Sequence, residues 1–273
     1  MINFKLKNID NIVPFGSDGN QVMHWFALTD GAYWIEIKNA TLFEYTDEVL
    51  NYWGGDDKYV EYQIIRLIED FTNLFFKITE SIPDDLFEYV KSAKLLNKIE
   101  EQRQIWTGIS EDKDMAIEES FRWITDRTLY SHHLTGGPQI SFFRHNEKIL
   151  LVWIANQLVD DRIPIWTAPT GEVEIDFEDF VLQIEDFGKR FFAEMGKQVN
   201  HALERDWGPI IIDKIKLKEE QIERAGDFDY WIKILKQDVL YQKLRTSGAL
   251  PETNWEKVRE SIDELMNHSP NKG

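Results

Sequence analysis

The sequence predicts an α+β fold: an antiparallel sheet built from an N-terminal meander and central hairpins, packed against long helices, with a helical C-terminal extension. Three observations carry this. Between residues 139 and 176 apolar residues recur at every second position, as Ile140 and Phe142, as Ile149, Leu151 and Trp153, as Ile163 and Ile165, and as Val173 and Ile175. That is the period of strands with one buried face. The segments between them, His145-Asn146-Glu147-Lys148 and Ala168-Pro169-Thr170-Gly171, are rich in turn formers and join neighbouring strands as antiparallel hairpins. On either side the apolar spacing changes to three and four, the period of a helix with a buried stripe.

From the N-terminus, Phe4 and Leu6 alternate as a short strand, and the turn-rich run from Pro14 to Asn20 breaks it. Three strands follow as a meander, Val22 to Leu28, Ala32 to Ile37 and Thr41 to Tyr45, with Asp30-Gly31 as the first hairpin turn. Thr46 suits the cap of a short helix stopped at Gly54-Gly55, and Asp56 or Asp57 the cap of the next, whose stripe is Val60, Ile64, Leu67, Phe71, Leu74 and Ile78. Pro83 opens a helix from about Asp84 to Ile105, on Leu86, Val90, Ala93 and Leu96. Ser110 opens a third, with Ile117, Phe121, Ile124 and Arg127 on one side.

Gly136-Gly137-Pro138 introduces the central strands. After them Asp176 caps a helix of about thirty residues bearing Phe177, Phe180, Ile184, Phe187, Phe191, Met195 and Val199, ended by Trp207-Gly208-Pro209. Gly188 and Gly196 inside it suggest close helix packing or a bend. Residues 1–209 are thus expected as one core domain, in which the meander and the central strands form one sheet or two sheets in contact, covered by the helices beginning near Asp57 and Asp176. Residues 210–273 are a helical extension, with a stripe of Ile222, Ala225, Phe228, Trp231, Ile232 and Leu235 that needs a covering surface, in the same chain or across a dimer. Thr253 and Glu256 form a capping-box pattern ahead of Val258, Ile262 and Leu265.

Composition narrows the function classes. The absence of cysteine in all 273 residues excludes disulfides, thiolate metal sites and cysteine nucleophiles, and suits a reducing cytoplasm. No N-terminal run has the apolar core of a signal peptide, and no run reaches the length of a membrane helix. With 31 Lys and Arg against 49 Asp and Glu the chain carries −18, a field that disfavours nucleic acid and anionic lipid and speeds encounter with cationic partners. A nucleophile elbow, phosphate loop, dinucleotide fingerprint or zinc-protease helix is nowhere spelled out. Gly136-Gly137-Pro138 is a structural turn rather than a phosphate loop, because Pro138 lacks an N–H and a strand follows it. Adjacent His132 and His133 diverge on a helix and make poor joint ligands. No cofactor, metal or catalytic residue is therefore assigned.

Aromatic residues make 13% of the chain, with ten Trp. Most fill the core, but Trp25, Trp34, Trp153 and Trp166 fall on expected strands near turns and are candidates for one shared face. Three runs stand out: His24-Trp25-Phe26-Ala27-Leu28-Thr29-Asp30-Gly31-Ala32-Tyr33-Trp34, then Gly136-Gly137-Pro138-Gln139-Ile140-Ser141-Phe142-Phe143-Arg144, then Ile163-Pro164-Ile165-Trp166-Thr167-Ala168. In these, over about residues 2–203, the sequence resembles a family of uncharacterised bacterial proteins, a domain of unknown function. That resemblance implies a bacterial cytosolic origin, transfers no catalytic residue, and leaves the tail outside.

More loosely, an acidic, tryptophan-rich, cysteine-free α+β protein resembles the immunity proteins that neutralise bacterial toxins. The expected function is accordingly that of an acidic binding protein that occludes a basic toxin domain, with Asp160, Asp161, Glu172, Glu174 and Trp166 as contacts. The alternative is an enzyme or carbohydrate-like small-molecule binder with an aromatic cleft built from His24, Trp34, Arg144 and Trp153. A scaffold that oligomerises through its C-terminal helices is the third reading.

Overall fold

The structure, a computed structural model, describes residues 1–17, 19–106, 118, 121–131, 133–134, 136–250 and 252–267. It is an α+β protein whose strands form separate sheets, antiparallel but for one parallel two-stranded pair, in two compact units interleaved along the chain. The first comprises residues 1–73, 156–169 and 181–236, the second residues 74–155, 170–180 and 237–273.

In the first unit β1 (Ile2–Leu6), β3 (Asp30–Ile37), β4 (Ala40–Leu42) and β5 (Val60–Gln63) form a four-stranded sheet, with β3 bonded to each of the other three. Gly31, Tyr33, Ile35 and Ile37 of β3 point inward at every second position, as the apolar alternation requires. The expected meander is corrected in two places. The chain over Val22 to Leu28 is strand only at β2 (Val22–Met23), after which it turns, because His24 Nδ1 accepts the Ala27 N–H at 3.2 Å and Thr29 Oγ1 donates to Phe26 O at 2.7 Å. Such local side-chain bonds compete with strand pairing. Asp30-Gly31 is no hairpin turn either, for Gly31 lies inside β3, opposite Leu6 and Tyr62. A Cβ on Gly31 would sit 2.4 Å from Lys5 O, so glycine serves the close approach of β1.

The remaining strands of this unit pair in twos, β2 in parallel with β12 (Ile211–Ile212), and β9 (Leu158–Val159) with β10 (Ile163–Pro164). Ile163 and Ile165 therefore belong to a separate small hairpin and not to the central sheet. Helix α1 (Asp47–Trp53) precedes β5, and α2 (Ile64–Ile78) follows it directly. Val60, expected to begin that helix, is in the strand, while Ile64, Leu67 and Phe71 are buried as its stripe requires. Two long helices complete the unit, the part of α5 (Phe177–Glu204) from Val181 onward and α6 (Lys214–Leu235). Phe187 and Phe191 of α5 meet the Phe4 ring edge-on at 5.8 Å each. A Cβ on Gly188 would lie 2.0 Å from the Phe228 ring, so the glycine lets α6 close on α5, whereas a Cβ on Gly196 would meet only Gln221 Nε2, at an ordinary contact distance of 4.0 Å. Phe228, Ile232 and Leu235 of the expected stripe are buried, but Ile222 is 74% exposed.

The second unit holds the central sheet in the order β11 (Gly171–Asp176), β8 (Lys148–Ile154), β7 (Gln139–His145), β6 (Thr128–Tyr130), all antiparallel. The β7–β8 turn is made by Asn146, at φ 55°, and Glu147. Both faces of β7 and β8 are buried. One packs Phe143, Leu150 and Val152 into a cluster with Leu86, Val90, Leu96, Ile99, Val258 and Ile262. The helix expected from Asp84 to Ile105 is two, α3 (Asp84–Val90) and α4 (Ala93–Trp106). The break follows from Ser92, whose Oγ accepts the Leu95 N–H, and from Glu172, whose carboxylate accepts the Ala93 N–H at 3.0 Å. Residues 121–125 are helical, with Phe121 and Ile124 buried, while Ser110 and Ile117 lie outside the described residues, as do His132, Thr135 and Pro251. The chain ends in α7 (Val239–Thr246) and α8 (Trp255–Asn267). Asn254, not Thr253, caps α8, accepting the Lys257 N–H at 3.1 Å, because Thr253 is bonded to Glu80.

Candidate functional site

The surface that combines charge with exposed aromatic area lies in the first unit, where α1 meets the β9–β10 hairpin. Thr46 builds the junction. Its Oγ accepts the Val49 N–H at 3.1 Å as the helix cap and donates to Pro164 O at 2.7 Å, while its N–H bonds Ile165 O at 3.0 Å. Asp47 and Glu48 then stand in the first turn, where carboxylates favour the helix N-terminus. Gly54, at φ 71°, ends the helix in the left-handed conformation and returns its N–H to Leu50 O.

The last two residues of α1, Tyr52 and Trp53, remain 48% and 42% exposed. Neither is loose. Tyr52 donates its hydroxyl to Asp160 Oδ2 at 2.8 Å, and this bond pushes the phenol above its usual pKa, since ionisation would put two negative oxygens together. Trp53 stands edge-on to Tyr45 at 5.4 Å, Tyr45 stacks on Trp166 at 4.9 Å, and Trp166 meets the fully buried Phe43 edge-on at 6.2 Å. An aromatic column thus runs from the core to the surface, and it fixes the orientation of Trp53. Asp160 and Asp161 occupy the tip of the hairpin with φ of 51° and 57°, closed by the Arg162 N–H to Val159 O at 3.2 Å. Aspartate tolerates that conformation better than most residues. Asp47, Glu48, Asp56, Asp57, Asp160 and Asp161 are all exposed, against Arg162 and a Lys58 that is paired to Glu44 at 2.5 Å.

The residues singled out from the sequence divide between the units. Asp160, Asp161 and Trp166 meet in this patch, with Trp166 buried beneath it. His24, Trp25 and Trp34 are in the same unit. The half-buried His24 ring lies 4.8 Å from Phe15, and burial holds its pKa below the usual value. Trp25 is fully buried, donates to Gln221 Oε1 at 2.8 Å and stacks on Phe192. Trp34 stacks on Tyr59 at 4.2 Å and donates to Glu36 at 3.0 Å.

Arg144, Trp153, Glu172 and Glu174 are in the second unit. Arg144 lies over the Phe177 ring at 4.1 Å and donates to Thr79 O at 2.8 Å and Gln237 Oε1 at 2.9 Å. Trp153 is buried on β8 against Gly171. Glu172 caps α4, and Glu174 is exposed on β11. The four tryptophans do not share a sheet face: Trp25 is in a turn, Trp34 on β3, Trp153 on β8, and Trp166 makes only an isolated bridge to Tyr45.

Sequence reasoning missed Tyr52 and Trp53, since a short helix with one buried residue, Val49, has no stripe to mark its outer face. It also missed a buried ionic cluster in the second unit. There Glu80 binds Arg127 at 2.7 Å and Arg245 at 3.1 Å, and Thr253 donates to the same carboxylate. Arg127 at a helix-stripe position was the one legible sign. A polar cavity of about 240 Å³ beside the cluster is lined by Lys77, Arg122, Trp123, Asp126 and Lys257 among others. Burial lowers the Lys77 pKa and raises that of Asp126. Among the described residues no group of three or more His, Asp or Glu is placed to hold a metal ion, and no helix is long and apolar enough to cross a membrane.

A family model described as a family of unknown function (DUF5984) matches residues 1–261. The match extends well beyond residue 203, so α6, α7 and just over half of α8 belong to the family's common chain and the tail is not an addition outside it. No curated protein and no solved structure matches the chain.

Proposed function

Since the chain belongs to this family of unknown function, its role has to come from its surface, and we propose that it is a cytoplasmic bacterial binding protein of the immunity type. In this reading the patch formed by α1 and the β9–β10 hairpin occludes a basic toxin domain. The observation that carries it is the pair Tyr52 and Trp53, exposed at the head of a packed aromatic column and ringed by carboxylates. Rigid aromatics make anchors because they bring large contact area at small entropic cost, and surrounding charge raises the rate of encounter. The chain's −18 extends the same field. Its cysteine-free composition is compatible with the reducing compartment in which such a pair of proteins meets.

The test is to purify the cationic protein encoded beside this gene and titrate it with the full chain, in parallel with growth rescue on co-expression. Trp53→Ala should weaken binding by about 2 kcal/mol or more, some thirtyfold. The double variant Asp160→Asn with Asp161→Asn should slow association at low salt and leave dissociation nearly unchanged. A complex indifferent to Trp53 and to salt, or absence of any complex and of rescue, would sink the proposal.

A further inference from the structure

Between β2 and β3 the chain turns over residues 24–29, and the turn opens with an orphan donor, the Ala27 N–H, which His24 Nδ1 accepts at 3.2 Å. The turn continues with the Leu28 N–H to Trp25 O and the Thr29 N–H to Phe26 O, both at 3.1 Å. Ala27, Leu28 and Thr29 are buried, Ala27 at 1% exposure. Water is therefore poorly placed to replace the imidazole, and a buried N–H that loses its acceptor is costly. The turn also sets a core residue, since Trp25 beside His24 is fully buried, donates to Gln221 Oε1 and lies under Arg224 at 5.4 Å.

Accepting that bond uses the Nδ1 lone pair, so the neutral ring carries its proton on Nε2. A second proton has to go to Nδ1, where it meets the Ala27 N–H donor to donor. Turning the ring over does not help, because Cδ2 then stands where Nδ1 stood. Either way, protonation ends the bond. The half-buried ring lies against two uncharged rings, Phe15 at 4.8 Å and Phe26 at 6.2 Å, and Arg66 of α2 covers Phe26 at 4.9 Å. From α6, Glu220 and Lys216 act on it with opposite signs, and Glu220 is itself paired with Arg224 at 3.3 Å. Burial is the largest influence and holds the imidazole below its ordinary 6.5, with Glu220 opposing and Lys216 assisting.

We propose that His24 is an acid-sensitive latch, which closes the turn between β2 and β3 while its ring is neutral and lets the turn open when the ring is protonated. Histidine suits the task because its charge changes close to neutrality. The sign follows from linkage: the closed turn takes up the proton less readily than the open one. Closure is therefore fully favoured above 6.5 and weakens as pH falls from 6.5 through the lower pKa of the closed form. Opening frees the Ala27 amide and removes the ring on which the partly exposed Phe15 rests. The latch is independent of the α1 patch and of any basic partner there.

The full chain supplies the first two measurements. Nitrogen–proton correlation spectra of the histidine rings at about pH 8 should show His24 protonated on Nε2 and bare on Nδ1. Hydrogen exchange at the Ala27 amide, corrected for its intrinsic dependence on pH, should lose protection between about pH 8 and about pH 5. His24→Asn sets Oδ1 where Nδ1 stood, an acceptor that does not titrate, so its Ala27 protection should match the parent's at the upper pH and stay level in acid. His24→Phe keeps a ring but no acceptor, and should lower Ala27 protection about fivefold at the upper pH with a flat profile below it. Should the Phe variant not fold, the parent and the Asn variant still decide the matter. The proposal is overturned if Nδ1 carries the proton, if the parent's Ala27 protection is level across the range, or if His24→Asn loses protection in acid as the parent does.

Discussion

Glu80 and Arg127, 47 positions apart, meet at 2.7 Å in the interior of the second unit, where the Arg127 side chain has 0% of its surface exposed. Burial lowers the guanidinium's pKa and the Glu80 carboxylate opposes that shift. Arg245 and Thr253 bind the same carboxylate and thereby fasten α7 and the start of α8 to the end of α2.

Removing one partner should therefore cost far more than an exposed ion pair would. Glu80→Leu leaves Arg127 buried without its counter-ion, and the expected loss is about 3 to 5 kcal/mol in urea unfolding. Glu80→Leu combined with Arg127→Met should lose less than Glu80→Leu alone. A single variant within about 0.5 kcal/mol of the parent would show that the pair is dispensable.

The two glycines of α5 should respond with opposite signs. Gly188→Ala drives a methyl into the Phe228 ring, and overpacking of about 1 to 3 kcal/mol outweighs the gain in helix propensity. Gly196→Ala meets only the Gln221 amide, at an ordinary contact distance of 4.0 Å, and should stabilise by roughly 0.5 to 1 kcal/mol. Thermal melts of the two variants should move apart; equal shifts would contradict the packing of α6 on α5.

Asp126 predicts a pH dependence. Its carboxyl is raised from 3.8 by burial, against the attraction of Lys77, Arg127 and Arg122. The folded state thus holds its proton more tightly than the unfolded state does. Protonation favours folding at acid pH, and that contribution is lost as pH rises from 3.8 through the folded pKa. Asp126→Asn should remove this decline, so that the variant gains on the parent between the acid limb and neutrality. An identical pH profile for the two proteins would refute it.

At the α1 patch, Tyr52→Phe deletes the hydroxyl that holds Asp160 but keeps the ring. Because the pair is exposed and screened by solvent, no measurable change in melting temperature is expected. Titration of the phenol by ultraviolet absorbance should show Tyr52 ionising above the ordinary range, with the shift abolished in Asp160→Asn. An unshifted Tyr52 would remove the hydrogen bond from the account of the site.

What the sequence determined by itself is what local period encodes. The alternation at Ile149, Leu151 and Trp153 became β8, the spacing from Phe180 to Val199 became α5, and Asn146 and Glu147 became the turn between β7 and β8. In each case the neighbouring residues alone decide the kind of element, although β8 buries Leu150 and Val152 on its second face as well. Thr46 as helix cap and Gly188 as a packing point were legible for the same reason.

Only the tertiary structure decided the rest, because it turns on partners remote in the chain. Alternation suggested a strand through Trp25, but the backbone turns there and the indole is held by Gln221, 196 positions away. Asp30-Gly31 carries the composition of a hairpin turn, yet the approach of β1 makes Gly31 a strand residue. The exposure of Tyr52 and Trp53 beside Asp160 and the burial of Arg127 on Glu80 likewise depend on which segments pack together. A residue's periodic position states which way it points, and the surface or partner it meets there is set by the long-range packing that no local pattern contains.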